Sequence, residues 1–352
     1  MKLYSNVTLL FIIWAGAILA IFYFGFLSFP HSGLFPEDFL KSFANWDGGH
    51  YLGIADGYDK TFQYAFFPLY PLLVSLLGKI TGDILTAGII ISAASSLLAL
   101  NLLYKLVVIE YNKELAKKTI LALLFFPTSF YLLTVYSEGL FLLLAAGTFY
   151  FARKNQLVAA TVFAALSSAT RLAGLAVVLG LFTNIYLSGG LKRKNWFTVF
   201  APLGFLLYSF YLYRQTGDPF YFITAESNWQ RQLVVPGLAF IESFKALTVP
   251  GFIEKNFSAF LDFVFAVFGL GLLIKIWRKL SPDYAVFAAV SFVMPLFSPT
   301  LLALPRYLLT IFPVFIVLSF YKNQYLIFAY QIFSILLLSV FAVLFITGNW
   351  VS

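Results

Sequence analysis

An aspartate and a histidine three residues apart, Asp47 and His50, stand in the stretch Asn45-Trp46-Asp47-Gly48-Gly49-His50-Tyr51. A carboxylate so placed can act as a general base, taking the proton of an attacking hydroxyl. Glu138, Arg171 and Arg306 likewise interrupt or border apolar sequence. Arginine presents a planar fork of donors that matches phosphate bidentately, which lysine cannot do. The inventory therefore suits a reaction at a phosphate-linked centre, with a carboxylate for the incoming hydroxyl and guanidinium groups for the leaving phosphate.

The elements that must position these residues are membrane helices. The chain has 352 residues, of which 61% are hydrophobic and 11% charged, and its mean hydropathy is +0.89. Soluble domains are about 45–50% apolar. Several apolar runs reach about 18 residues or more, enough to cross a hydrocarbon core of ~30 Å. A β-barrel would show short alternating segments instead. The expected fold is an all-α polytopic membrane protein organised as a single domain over 1–352, because no polar stretch is long enough for a soluble one. The first apolar run is too long for a signal-peptide core and lacks a small-residue cleavage site, so it is expected to remain as a helix.

Candidate spans are 5–28, 84–109, 119–136, 138–152, 156–170, 172–187, 197–214, 257–278, 283–299, 306–321 and 324–346. Together they make about eleven transmembrane helices. Residues 66–80 are apolar but short and begin with two prolines three apart, which suggests a re-entrant or interfacial helix.

The net charge of +8 is what basic cytoplasmic loops give a membrane protein, and no nucleic-acid partner is inferred. Without cysteine there is no disulfide, thiolate metal site or cysteine nucleophile. His31 and His50 alone do not make a zinc centre. Aromatic residues make up 20% of the chain. Packing and interfacial belts account for most of them, and the remainder suit a groove for a lipid or a sugar.

Loop charges orient the bundle. Lys113, Lys117 and Lys118, then Arg153-Lys154, Lys192-Arg193-Lys194, Arg278-Lys279 and Lys322, all become cytoplasmic if 156–187 is two helices meeting near Arg171. The N-terminus is then cytoplasmic and the C-terminus outside. The outer segments are 29–83, the turns at 137–139 and at Arg171, the long segment 215–256, and 298–306. They hold Asp47, His50, Asp56, Asp59, Glu138, Arg171, Arg231 and Arg306.

Each of these residues also has a plain structural role open to it. Asp47 suits the cap of a short helix, His50 a partly buried loop position, and Glu138 a helix junction. Arg306 after Pro305 suits an interfacial anchor. Arg171, deep in apolar sequence, must reach the surface or find an anion, and Glu138 or a lipid phosphate would serve. Together, an outward acid, two arginines and an aromatic bundle suggest chemistry on a lipid-linked phosphate, and a lipid flippase would carry the same inventory.

Longer motifs narrow this. Trp46-Asp47-Gly48-Gly49-His50-Tyr51, Ile54-Ala55, Gly57-Tyr58 and Phe66-Phe67-Pro68-Leu69-Tyr70-Pro71 follow in order. Pro127-Thr128-Ser129-Phe130, Tyr136-Ser137-Glu138-Gly139-Leu140-Phe141, Arg171-Leu172-Ala173-Gly174 and Pro305-Arg306-Tyr307 come later. This series resembles the PIG-V family, comprising GPI mannosyltransferase 2 and its prokaryotic homologues. Asn45 stands where that family often has arginine.

The resemblance implies a GT-C-like glycosyltransferase, a multi-pass enzyme of the cell membrane with an extracytoplasmic site. It would transfer mannose, with inversion, from a polyprenyl-phosphate donor to a glycolipid, glycan or protein acceptor. Asp47 would be the catalytic base. His50, Glu138, Arg171, Arg306, Trp46 and Tyr307 would bind substrate and its phosphate. No cofactor and no divalent metal are implied, and the partners are membrane lipids, the donor and the acceptor. The same fold with glucose or arabinose in place of mannose, or a non-catalytic carrier of lipid-linked sugar, are the competing readings. The carrier fits less well, because no internal repeat appears and the charges gather on one face.

Overall fold

The computed structural model describes residues 6–33, 35, 37–190, 193–229, 231–249 and 256–351. Among them all regular structure is helical. Four helices are long and apolar enough to cross a membrane: α1 (Val7–Ser28), α4 (Ile84–Glu110), α12 (Phe257–Lys279) and α16 (Gln324–Ile346). Between them lie α2 (Asp47–Ala55), α3 (Leu69–Thr81), α5 (Lys113–Leu124), α6 (Glu138–Arg153), α7 (Leu157–Ser168) and α8 (Gly174–Leu187). There follow α9 (Leu203–Thr216), α10 (Tyr221–Ala225), α11 (Leu238–Leu247), α13 (Pro282–Val293), α14 (Leu304–Thr310) and α15 (Pro313–Ser319). The chain is a polytopic helical membrane protein.

Side-chain caps start three of the long helices. Asn6 accepts the amides of Thr8 and Leu9, Asp83 those of Leu85 and Thr86, and Asn323 those of Tyr325 and Leu326. Each cap satisfies amides that the first helical turn leaves without partners. The short apolar segment expected at 66–80 is α3, a 13-residue helix.

The stretch 156–187 is two helices, α7 and α8, with Arg171 in the turn between them. A side chain at Gly174 would put its Cβ 2.2 Å from the Ser167 carbonyl oxygen, so only glycine allows the chain to double back so tightly. Lys192 and the side chain of Lys194, counted above among the loop charges, lie outside the described residues.

Four other expected spans are divided. Helix α5 stops at Leu124, two residues before the Phe126-Pro127 junction, and a 3-10 turn follows at Ser129–Leu132. The span at 197–214 begins as a 3-10 turn, Arg193–Phe200, before Pro202 leads into α9. The span at 283–299 is α13 followed by a 3-10 turn, Met294–Phe297, that holds Pro295. The span at 306–321 becomes α14 and α15, parted ahead of Pro313. Proline lacks the amide hydrogen and disfavours helix in the residue before it, so each break has a local cause. In place of about eleven continuous crossings, the described chain has the four long helices and several shorter apolar ones.

Polar clusters gather at the two ends of α6. At its C-terminus Arg153 grips Asp283 at the start of α13 with two hydrogen bonds, 2.5 and 3.2 Å, and also pairs with Glu110 at the end of α4. Asn184 of α8 donates to the same Asp283 at 3.2 Å. Four helices are thus clasped at one end. The other end, about 24 Å away along the 16-residue α6, carries Glu138 and the loops expected to face outward.

Those loops are tied to one another by hydrogen bonds. The Val135 amide donates to the Phe43 carbonyl, and the Leu69 amide donates to the Ala169 carbonyl, each at 3.0 Å. Asn45 is buried; its Nδ2 donates to the Phe345 carbonyl at 2.9 Å, and its own carbonyl accepts from the Tyr136 hydroxyl. Asn45 is therefore a tether between the first loop and the end of α16.

Candidate active site

Asp47 is the first residue of α2, following Trp46 at φ 59° and ψ −122°. A non-glycine residue there is strained by about 1–3 kcal/mol. Its side chain does not cap the helix, contrary to the simplest reading of Asp before Gly-Gly; no side-chain cap bond is made there. Instead Arg306 Nη1 donates to Asp47 Oδ2 at 2.7 Å. Arg306 lies in the seven-residue α14, whose preceding residue, Ala303, is also left-handed at φ 67°. Two strained joints therefore present the two halves of one ion pair.

The pair continues inward. Arg306 Nε lies 3.4 Å from Glu138 Oε1, and Arg171 Nη1 donates to the same oxygen at 2.6 Å. The result is an alternating chain, Arg171–Glu138–Arg306–Asp47, contributed by the turn after α7, by α6, by α14 and by α2. Glu138 is 1% exposed. It stands in the first turn of α6, where the helix dipole favours negative charge. Gly139 beside it lets α6 approach α4, because a Cβ there would meet Ser96 Oγ at 2.2 Å. A buried carboxylate is tolerable only with cationic partners, and here two guanidinium groups share one oxygen.

Aromatic rings surround the cations. Arg306 lies over Tyr131, Tyr136 and Tyr307, with the guanidinium 5.5, 5.4 and 5.9 Å from the ring centres. Arg171 and Arg231 each stand 5.7 Å from the Tyr307 ring. Three guanidinium groups thus converge on one tyrosine, and cation–π attraction helps to hold them together.

A cavity of about 320 Å³ opens against this cluster, lined among others by Asp47, Arg171, Arg306, Tyr307, Arg231 and Trp350. Asp47 meets the cavity with its side chain 16% exposed, and the ion pair uses its Oδ2.

The sequence-derived residues divide in two. Asp47, Glu138, Arg171, Arg306 and Tyr307 come together. His50 does not join them. It packs against Phe62, Phe66 and Trp229, with ring centres 5.3, 5.4 and 5.7 Å away, and it does not line the cavity. Burial pushes its pKa down, against the opposing pull of nearby Asp47. Trp46 stands edge-on to Trp350 at 5.0 Å, and Trp350 is the one that reaches the cavity. Trp350, Glu226, Trp229 and Arg231 also line the cavity; of these the sequence marks only Arg231, as an outward charge without a place at the site. Glu226, Trp229 and Arg231 sit in the outer segment 215–256, whose length and aromatic content were the available signal.

A helical membrane bundle whose cavity ends in a buried acid–arginine chain is here that of a membrane glycosyltransferase. The family model described as Mannosyltransferase (PIG-V) matches residues 34–195, just under half of the chain, and over that stretch the chain is similar to the PIG-V family. The matched stretch carries Asp47, Glu138 and Arg171, while Arg231, Arg306 and Tyr307 lie beyond it. A comparison with curated proteins finds no match.

Proposed function

We propose that the chain is a polyprenyl-phosphate-mannose-dependent, inverting mannosyltransferase of GT-C type in the cell membrane. The acceptor is a hydroxyl of a glycolipid, glycan or protein. The cavity faces the extracytoplasmic side, which follows if the lysine-rich loops and the N-terminus are cytoplasmic. The observation that carries the reading is the contact of Asp47 with both Arg306 and the cavity.

In the reaction, the acceptor oxygen attacks C1 of the mannosyl group while Asp47 accepts the hydroxyl proton through the oxygen that Arg306 does not hold. The C1–O bond to phosphate breaks, and its electron pair leaves on the polyprenyl monophosphate. Direct displacement inverts the anomeric centre. The arginine cluster stabilises the charge that grows on the phosphate, a field organised before the substrate arrives. Arg306 also fixes the orientation of the base. The apolar and aromatic cavity walls suit the first isoprene units of the donor.

The test is turnover by the purified protein with a panel of polyprenyl-phosphate sugars and a lipid extract. Mass spectrometry and anomeric analysis read the products. Mannose transfer with inversion supports the proposal. Transfer with retention, or the use of a sugar nucleotide in place of every polyprenyl-phosphate donor, overturns it.

A further inference from the structure

Arg171 and Arg306, the arginines that sequence singles out for phosphate binding, are already committed to carboxylates. Arg171 is bound to Glu138 at 2.6 Å, and Arg306 to Asp47 at 2.7 Å with Glu138 at 3.4 Å. Two cations and two anions make this inner chain formally neutral. A substrate phosphate entering the cavity therefore needs positive charge from elsewhere.

Arg231 can supply it. It lines the cavity from the outer segment. Its Nη1 donates to the Tyr307 hydroxyl at 2.7 Å and its Nη2 to the Leu302 carbonyl at 3.2 Å. Those bonds use two of the five donors that a guanidinium carries. Its carboxylate partner, Glu226, is loosely engaged at 3.7 Å, with its side chain 40% exposed. A partly exposed pair at that distance is worth about 0–1 kcal/mol, so an anion with better geometry displaces it. The segment itself is anchored on both sides, by Trp229 against His50 and Phe66 and by the Val234 amide on the Phe297 carbonyl at 2.7 Å. Arg231 thus stays at the cavity, with the loosely paired Glu226 beside it on the cavity wall.

We propose that Arg231 is the principal ligand of the donor's phosphodiester, and that Glu226 holds its place until the phosphodiester replaces it. This rests on the donor class proposed above. The charges balance through the exchange, since one carboxylate leaves and a phosphodiester of one negative charge arrives. When the glycosidic bond breaks, the phosphate gains negative charge where Arg231, Arg171 and Arg306 already converge on Tyr307.

The experiment measures the KM for polyprenyl-phosphate mannose, and the affinity for a short-chain polyprenyl phosphate, in Arg231→Ala, Arg231→Lys and Glu226→Gln. Arg231→Ala should weaken both by about ten- to a hundredfold, as expected for losing hydrogen bonds to a charged group. Arg231→Lys should recover part of the loss, because it restores charge without the fork. Glu226→Gln should strengthen both by up to about fivefold, since it removes a competitor. A segment held only for structure predicts that Glu226→Gln weakens binding as Arg231→Ala does; that result, or unchanged binding in Arg231→Ala, overturns the proposal. Polyprenol and inorganic phosphate serve as controls. If wild-type protein binds no polyprenyl phosphate at all, the donor reading itself fails; if it binds and the variants match it, the Arg231 assignment alone fails.

Discussion

Glu138 joins the two arginines of the inner chain, so neutralising it tests whether that chain is an energetic unit. In Glu138→Gln the side-chain shape persists but the charge goes. The Arg171 contact of 2.6 Å puts the charge centres about 4 Å apart, which gives about 4 kcal/mol of attraction at an effective dielectric of 20. Removing one partner of a buried pair costs about 3–5 kcal/mol. Glu138→Gln should therefore lose about that much stability, and Arg171→Gln a similar amount. The double variant leaves Arg306 with Asp47 as a matched pair, so its loss should fall short of the sum by at least ~1 kcal/mol, well outside the ~0.5 kcal/mol within which independent sites add. Denaturation of the four proteins in one detergent or lipid provides the cycle. Additive losses would show that the two side chains do not depend on one another and would refute the linked chain.

At the opposite end of α6, Arg153→Met should destabilise the bundle by about 3–5 kcal/mol while leaving the KM for donor unchanged in the folded fraction, because Arg153 clasps Glu110 and Asp283 away from the cavity; a paired melt and kinetic assay reads both. Gly139→Ala brings a Cβ to 2.2 Å from Ser96 Oγ and should cost about 1–3 kcal/mol by overpacking, with slower turnover because Glu138 shifts with the helix start. His50 has its pKa lowered by burial, so the unfolded chain binds its proton first as pH falls. Stability should decline from about pH 6.5 down towards the lower folded value, and melts of His50→Phe across pH 5–7.5 should lack that part of the slope.

Much of the fold was legible because hydropathy reports continuous apolar runs. The spans 5–28, 84–109, 257–278 and 324–346 correspond closely to α1, α4, α12 and α16. The break at Arg171 was legible from loop charge, since the basic loops agree in side only if the chain turns there. The four divided spans were read as continuous because averaged hydropathy passes through a kink without a change of value. Pro127, Pro202, Pro295 and Pro313 were the local signal that marks them.

At the site, charge in apolar sequence drew attention to Asp47, Glu138, Arg171 and Arg306, and Glu138 was a foreseeable partner for Arg171. The Asp47–Arg306 bond spans 259 positions, and no local pattern encodes a contact of that range. His50 illustrates the reverse: three positions from Asp47 on a helix suggested a shared task, but the ring is turned into an aromatic box. Arg231 was visible as an outward charge, yet its place at the cavity depends on how the outer segment folds back.

In the proposed reaction Asp47 is the base. Asparagine at position 47 can still accept the Arg306 hydrogen bond through its amide oxygen, so Asp47→Asn changes basicity more than geometry. Single-turnover transfer from polyprenyl-phosphate mannose, measured beside donor affinity in the same preparation, tests this directly. Transfer should fall by about 10²–10⁴-fold with donor affinity retained; transfer near the wild-type rate would contradict the role of Asp47 as base.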